Sequence, residues 1–151
     1  MSQLPTDAIR NPDIVYVGFL SGLGELRDSV FDLSGFSIGS SFDELVDRKS
    51  GLHYMSDWEN VVADQTPRQD YAYIAALPGP TGNRIIVIAG TRDAAVMQAA
   101  EIASDPHQLA AIPDDVSKAD SFEALFAVKT LGNQNLSSRL ILARRTKSTR
   151  H

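Results

Sequence analysis

Two short stretches combine glycine, hydroxyl and arginine in a pattern suited to holding an anion. Gly18-Phe19-Leu20-Ser21-Gly22-Leu23-Gly24 follows an apolar run and precedes a helical pattern, with Arg27 one turn further on. Ala89-Gly90-Thr91-Arg92 stands at a second junction of the same kind. A helix that opens from such a turn has first-turn N–H groups without intrahelical partners, and these attract carboxylate or phosphate. Ser21 and Thr91 are of the types that cap helices, and Asp93 suits a first turn. Arg27 and Arg92 could each meet an anion with a planar fork of donors. The expected ligand-binding set is therefore Ser21, Gly22, Gly24, Arg27, Gly90, Thr91 and Arg92. For the glycines the plainer reading, that they let strand and helix pack closely, has equal weight; for each arginine taken alone, pairing at the surface with Asp28 or Asp93 is the better reading.

Other chemistry finds little support. The first stretch is neither GxGxxG nor a P-loop, since no Gly-Lys-Ser/Thr follows. His53, His107 and His151 lack metal-ligand spacing, so no metal is expected. Ser21, Ser40 and Ser41 sit in no G-x-S-x-G elbow, and His107 beside Pro106 reads as a loop residue. No catalytic residue and no cofactor is assigned. Asp43, Glu44 and Asp47 read as the solvated face of a short helix, and Tyr71, Tyr73 and Trp58 as core or rim aromatics.

Ile85, Ile86, Val87 and Ile88 in a row predict a strand, Arg84–Ala89, covered on both faces. A helix through Ala94, Ala95, Val96, Met97, Ala99, Ala100 and Ile102 folds back on it. Asp13–Leu20 predicts a first strand, and Leu23, Leu26, Val30 and Phe31 one face of a helix. Gly35–Gly39 and Leu52–Met55 read as short strands, Phe42–Arg48 as a brief helix, and Ser56–Gln69 as a surface excursion. Tyr71–Leu77 is a strand. The short Pro78–Gly82 turn makes it antiparallel to Arg84–Ala89 if the two are neighbours. Pro106–Ile112 reads as a short helical piece. Phe122–Leu131 fits a helix face or a strand face; strand is favoured, because Gly132–Asn135 suits a hairpin loop before Arg139–Ala143.

The chain of 151 residues is 43% hydrophobic and 22% charged, which suits one globular domain. The expected organisation is a flexible leader over 1–12, a single α/β domain over 13–143, and a basic, solvated tail over 144–151. There is no cysteine, hence no disulfide or thiolate site. No apolar run approaches the ~20 residues of a bilayer span, and the start lacks a signal-peptide core. A cytoplasmic location and no membrane partner are therefore expected. Net charge is −5, but the last 13 residues hold five basic groups and no acid, so the rest balances at −10. Such a body repels phosphate backbones, and no direct nucleic-acid contact is expected from it.

The stretches DIVYVGFLSGLGELRDSVF, DYAYIAALPGP and NRIIVIAGTRDAAVMQAAE resemble an α/β domain near the C-termini of some bacterial regulators, often behind a helix-turn-helix or winged-helix segment. The resemblance covers about half the chain, and the Gly90-Thr91 turn is its most telling feature. It implies a mixed parallel/antiparallel sheet with packed helices, flavodoxin-like or periplasmic-binding-like in appearance. It implies a sensor or ligand-binding module without established chemistry. No DNA-reading segment precedes Asp13 in this sequence. The function expected is a non-catalytic ligand-sensing or protein-interaction domain of a bacterial regulatory protein. Its alternatives are a small enzyme acting on an anionic metabolite and a homo-oligomeric scaffold. A buried acid–base pair beside Gly90 would favour the enzyme; an apolar patch on an exposed edge would favour the scaffold.

Overall fold

The computed structural model describes residues 13–39, 41, 44–56, 68–79, 82–131 and 134–146. Strand β1 (Ile14–Phe19) runs into a 3-10 turn, Leu20–Gly22, and then helix α1 (Leu26–Phe31). Strands β2 (Phe36–Ile38), β3 (Glu44–Asp47) and β4 (His53–Met55) follow, and then β5 (Arg68–Pro78) and β6 (Arg84–Gly90). Three helices come next: α2 (Asp93–Ser104), α3 (Pro106–Leu109) and α4 (Asp114–Ser117). Strands β7 (Phe122–Leu131) and β8 (Gln134–Arg145) end the described chain.

The fold is mixed α/β. A five-stranded sheet has the order β1-β6-β5-β7-β8, and a three-stranded sheet the order β2-β3-β4. In the larger sheet β1 pairs parallel with β6, while β5/β6, β5/β7 and β7/β8 are antiparallel. The short connection from β5 to β6 leaves no room for a crossover, which makes that pair antiparallel as expected. β1 reaches its parallel partner only after α1, the small sheet and β5 have intervened.

The two faces of the large sheet bury separate cores. Tyr71, Tyr73, Ala75 and Leu77 of β5, with Ile85, Val87 and Ala89 of β6, pack under α1 and the small sheet, against Leu20, Val30, Phe31, Phe36 and Leu45. Ala72, Ile74, Ala124, Phe126 and Val128 face the other way and meet Ala95, Ala99 and Ile102 of α2, then Ile112 and Val116. The alanines of α2 allow a close approach. A Cβ on Gly90 would stand 2.5 Å from Val96 N and 2.8 Å from Ala95 Cβ, so only glycine admits the helix there.

Four expectations need correction. Phe42–Arg48 is not a helix: Glu44–Asp47 is β3, because Leu45 and Val46 are drawn into antiparallel pairing with β2 and β4. Phe42 and Asp43 themselves lie outside the described residues. Glu44 and Asp47 are consequently buried rather than a solvated face. β6 is not equally covered on both faces: Ile85 and Val87 are buried but Ile86 and Ile88 only half so, since α2 shields their side incompletely. The solvated tail does not begin at Arg144, because β8 continues through Arg144 and Arg145, and Thr146 N donates to Ser121 O at 3.2 Å. The expected leader over 1–12, the excursion from 57 to 67 with Trp58, the Pro80-Thr81 turn tip, Ser40 and 147–151 lie outside the described residues.

The asymmetry of β6 sets an expectation. Ile85→Ala removes a fully buried side chain and should cost about 2–5 kcal/mol, whereas Ile86→Ala should cost less than about 2 kcal/mol. Urea denaturation of the two variants beside the wild type measures both.

Candidate functional site

The parallel register of β1 and β6 aligns Phe19 with Gly90, so both small-residue turns leave the large sheet at one edge. That is the edge where open α/β sheets usually take ligands. The helices they lead into, however, pack on opposite faces. α1 lies in the core with Leu20 and Leu23, and α2 in the core with Ala72 and Ile74.

Each residue of the expected binding set has a definite place. Ser21 and Gly22 are exposed members of the 3-10 turn, and the N-cap of α1 is Glu25, without a side-chain cap bond. Ser21 is thus not a helix cap. A Cβ on Gly22 would collide with the Tyr16 phenol, so this glycine makes room for that ring. Gly24 takes a left-handed φ of 57°, which lets the chain turn into α1. Arg27 is exposed and lies 3.7 Å from Asp28, on the rim of a small cleft with Phe31, Ser37 and Arg48. Gly90 is filled by the backbone of α2, as described above. Thr91 is not the cap of α2 either. Its Oγ1 accepts from Tyr71 N at 3.1 Å while its own N donates to Tyr71 O at 3.1 Å, which extends the β5/β6 ladder by one residue. Arg92 is the N-cap residue, half-buried and extended, with φ −141° and ψ 174°. The turns are brought to one edge, but Arg27 and Arg92 belong to opposite faces.

The most concentrated polar chemistry lies elsewhere, in the core under the small sheet. Glu123 on β7 is 0% exposed. Its Oε1 accepts from Ser34 Oγ at 2.5 Å and from Tyr73 OH at 2.7 Å; its Oε2 accepts from Gly35 N at 2.8 Å and from Arg144 Nε at 2.8 Å. Four donors from three parts of the chain thus satisfy one carboxylate. Arg144 goes on to Asp47 Oδ1 at 3.1 Å and stacks over Phe36, 4.7 Å from the ring centre. Asp47 also accepts from Lys49 N and from Ser50 Oγ, each at 3.0 Å. Gly35 has no room for a side chain, because Arg144 occupies the space. The cluster ties β5, β7 and β8 to β3 and to the turn before β2.

Electrostatics follow from this packing. Burial, then the charge of Glu123, pushes the Tyr73 phenol well above its usual value, so it stays a proton donor. Burial alone would raise the Asp47 carboxyl, but the Lys49 amide, Arg144 and Ser50 outweigh it and hold it below its usual value. Burial works against the charge on Arg144, and Glu123 with Asp47 overcomes that. Ser34 is not set up as a nucleophile. It is buried, its hydroxyl is committed to Glu123, and its oxygen also accepts from Phe36 N at 2.9 Å. Among the described residues no group of three metal-ligating side chains comes together. Glu44 pairs with the exposed His53 at 2.6 Å, and Ser56 donates to the buried Asp70 at 2.5 Å.

The sequence reading missed Glu123, Arg144, Asp47, Ser34 and the polar role of Tyr73. A lone acid inside the apolar run FEALFAVKTL was the available signal, since a buried carboxylate demands donors.

A third feature lies at the sheet edge. β1 has no neighbour on its outer side among the described residues. Val15 is 59% exposed, Val17 54% and Phe19 42%, all pointing to the α2 side, where Met97 is 69% exposed. No helix among the described residues is long and apolar enough to cross a membrane. No family model matches the chain, and neither a curated protein nor a solved structure does.

Two measurements probe the buried cluster. Arg144→Met leaves Glu123 as an uncompensated buried charge and should cost about 3–5 kcal/mol by chemical denaturation. Because the Asp47 carboxyl is depressed in the folded state, its contribution is complete above the unfolded-state value of about 3.9 and fades as pH falls through the folded value. Asp47→Asn should therefore be less stable than wild type at pH 7, and the gap should narrow below about pH 4 in a pH series of urea melts.

Proposed function

We propose that the chain is a non-catalytic protein-interaction domain of a bacterial regulatory protein, and that it docks a partner through the outer edge of β1. The observation that carries this reading is the uncharged run Ile14–Phe19, placed on a sheet edge with Val15, Val17 and Phe19 exposed. An edge strand offers a row of N–H and C=O groups to any extended segment, and apolar side chains at alternate positions supply contacts along it. The occupant is a β-strand with matching apolar side chains. The flavodoxin-like aspect of the fold reduces to one parallel pair, β1/β6, with its long crossover.

Sensing of a small anion at Ser21, Gly22, Gly24, Arg27, Gly90, Thr91 and Arg92 is the second reading. It is supported by the shared edge of the two turns and weakened by the packing and ladder roles of Gly22, Gly90 and Thr91. An enzyme acting on an anionic metabolite has less support: the histidine–carboxylate pair His53–Glu44 joins β4 to β3 of the small sheet rather than residues beside Gly90.

A photoreactive residue in place of Val17 tests the first reading. Irradiated cells should yield one discrete adduct, absent when the probe replaces Lys129 on β7. No adduct at Val17 removes β1 as a docking edge. A thermal-shift screen with phosphate and small carboxylates tests the second. A stabiliser whose effect disappears in Arg92→Ala would support it, and no shift would remove it.

A further inference from the structure

We propose that the strand added to β1 is β1 of a second copy of this chain, antiparallel about a twofold axis at Val17; this rests on the reading of β1 as a docking edge. Edge strands of proteins that stay monomeric are usually guarded by lysine, proline or a bulge. Ile14–Phe19, IVYVGF, contains none of these, and its pairing with β6 is regular over all six residues. The strand is also complementary to itself. Pairing centred on Val17 sets Val15 across from Phe19 of the second copy and Val17 across from its counterpart, on the same face of the joined sheet. Tyr16 then stands across from Gly18, on the face where each protomer's own Tyr16 phenol already folds over Gly18 and donates to Phe19 O. Asp13 falls opposite Ser21, and its carboxylate already holds Arg84 at 3.4 Å, so no like charges meet along the seam.

The surrounding layers allow the contact. A twofold axis normal to the sheet leaves both α2 helices on one face, the face that carries Val15, Val17 and Phe19. The half-buried Ile86 and Ile88 lie just inside it. A seam of one strand pair falls at the low end of interface size, so the association expected is weak, with a dissociation constant of about 1–100 μM.

Sedimentation equilibrium of the full chain over about 1–300 μM tests this, with amide exchange of β1 measured alongside. The expected result is a monomer–dimer equilibrium in which protection of the β1 amides rises with concentration. Val17→Lys sets two charges against each other on the axis and should weaken dimerisation at least about 30-fold, with circular dichroism unchanged. Val17→Ile should retain the dimer, which guards against a general effect of substitution. A wild type that stays monomeric throughout overturns the proposal, as does a dimer that Val17→Lys leaves intact. If the chain is monomeric yet the Val17 photoprobe joins a different polypeptide, self-pairing fails and the docking edge survives. If it is monomeric and no adduct forms, both fail.

Discussion

The buried carboxylate of Glu123 is the constraint around which the two layers on one side of the large sheet are arranged. A charge at zero exposure is costly unless every lone pair is occupied. Here the donors come from a serine and a backbone amide before β2, a tyrosine on β5 and an arginine on β8. Each donor fixes a piece of chain that local propensity would leave loose. Arg144 then spends its second nitrogen on Asp47, which docks β3, and its flat face on Phe36, which docks β2. Aromatic rings complete the joint, with Phe36 edge-on to both Tyr54 and Tyr73. A three-stranded sheet with strands of three or four residues has little core of its own; this joint supplies what it lacks.

Much of the large sheet was legible in the sequence. The apolar runs marked β1, β5, β6, β7 and part of β8, and a five-residue turn made β5 and β6 antiparallel. Local patterns do not reveal where the strands stop or what lies across from them. A basic C-terminal run without acids reads as solvated, yet Arg144 has its partners on β7 and β3. Counting back from the Leu131↔Gln134 pair would set Glu123 against Leu142. Two register shifts within β7/β8 move the match to Arg144. Such irregularities depend on three-dimensional twist and leave no simple mark in composition. The same limit explains β3: its four residues satisfy a helical spacing, and only pairing on both sides makes them a strand.

The glycine turns show the limit from the other direction. The residues lie at one sheet edge, as the anion-binding pattern requires. Yet Gly90 is occupied by the backbone of α2, Gly22 by the phenol of Tyr16, and the Thr91 hydroxyl by the amide of Tyr71. Glycine between strand and helix serves packing as readily as ligand approach, and a single sequence does not separate the two. The exposed apolar face of β1 was equally hidden, because a branched run looks alike whether a layer covers it or not.

The long crossover also bears on how the chain is made. Ile14 pairs with Ile85, so the ribosome must add some seventy residues before β1 meets β6, its one sheet neighbour among the described residues. At about 5–20 residues per second the nascent strand waits roughly 4–14 s, uncharged and without that partner, while β5 with β6 and β7 with β8 close through short connections. During translation on a polysome, adjacent chains carry the same bare strand at short range. The strand that waits longest for its partner is therefore one whose sequence carries neither charge nor proline against mispairing.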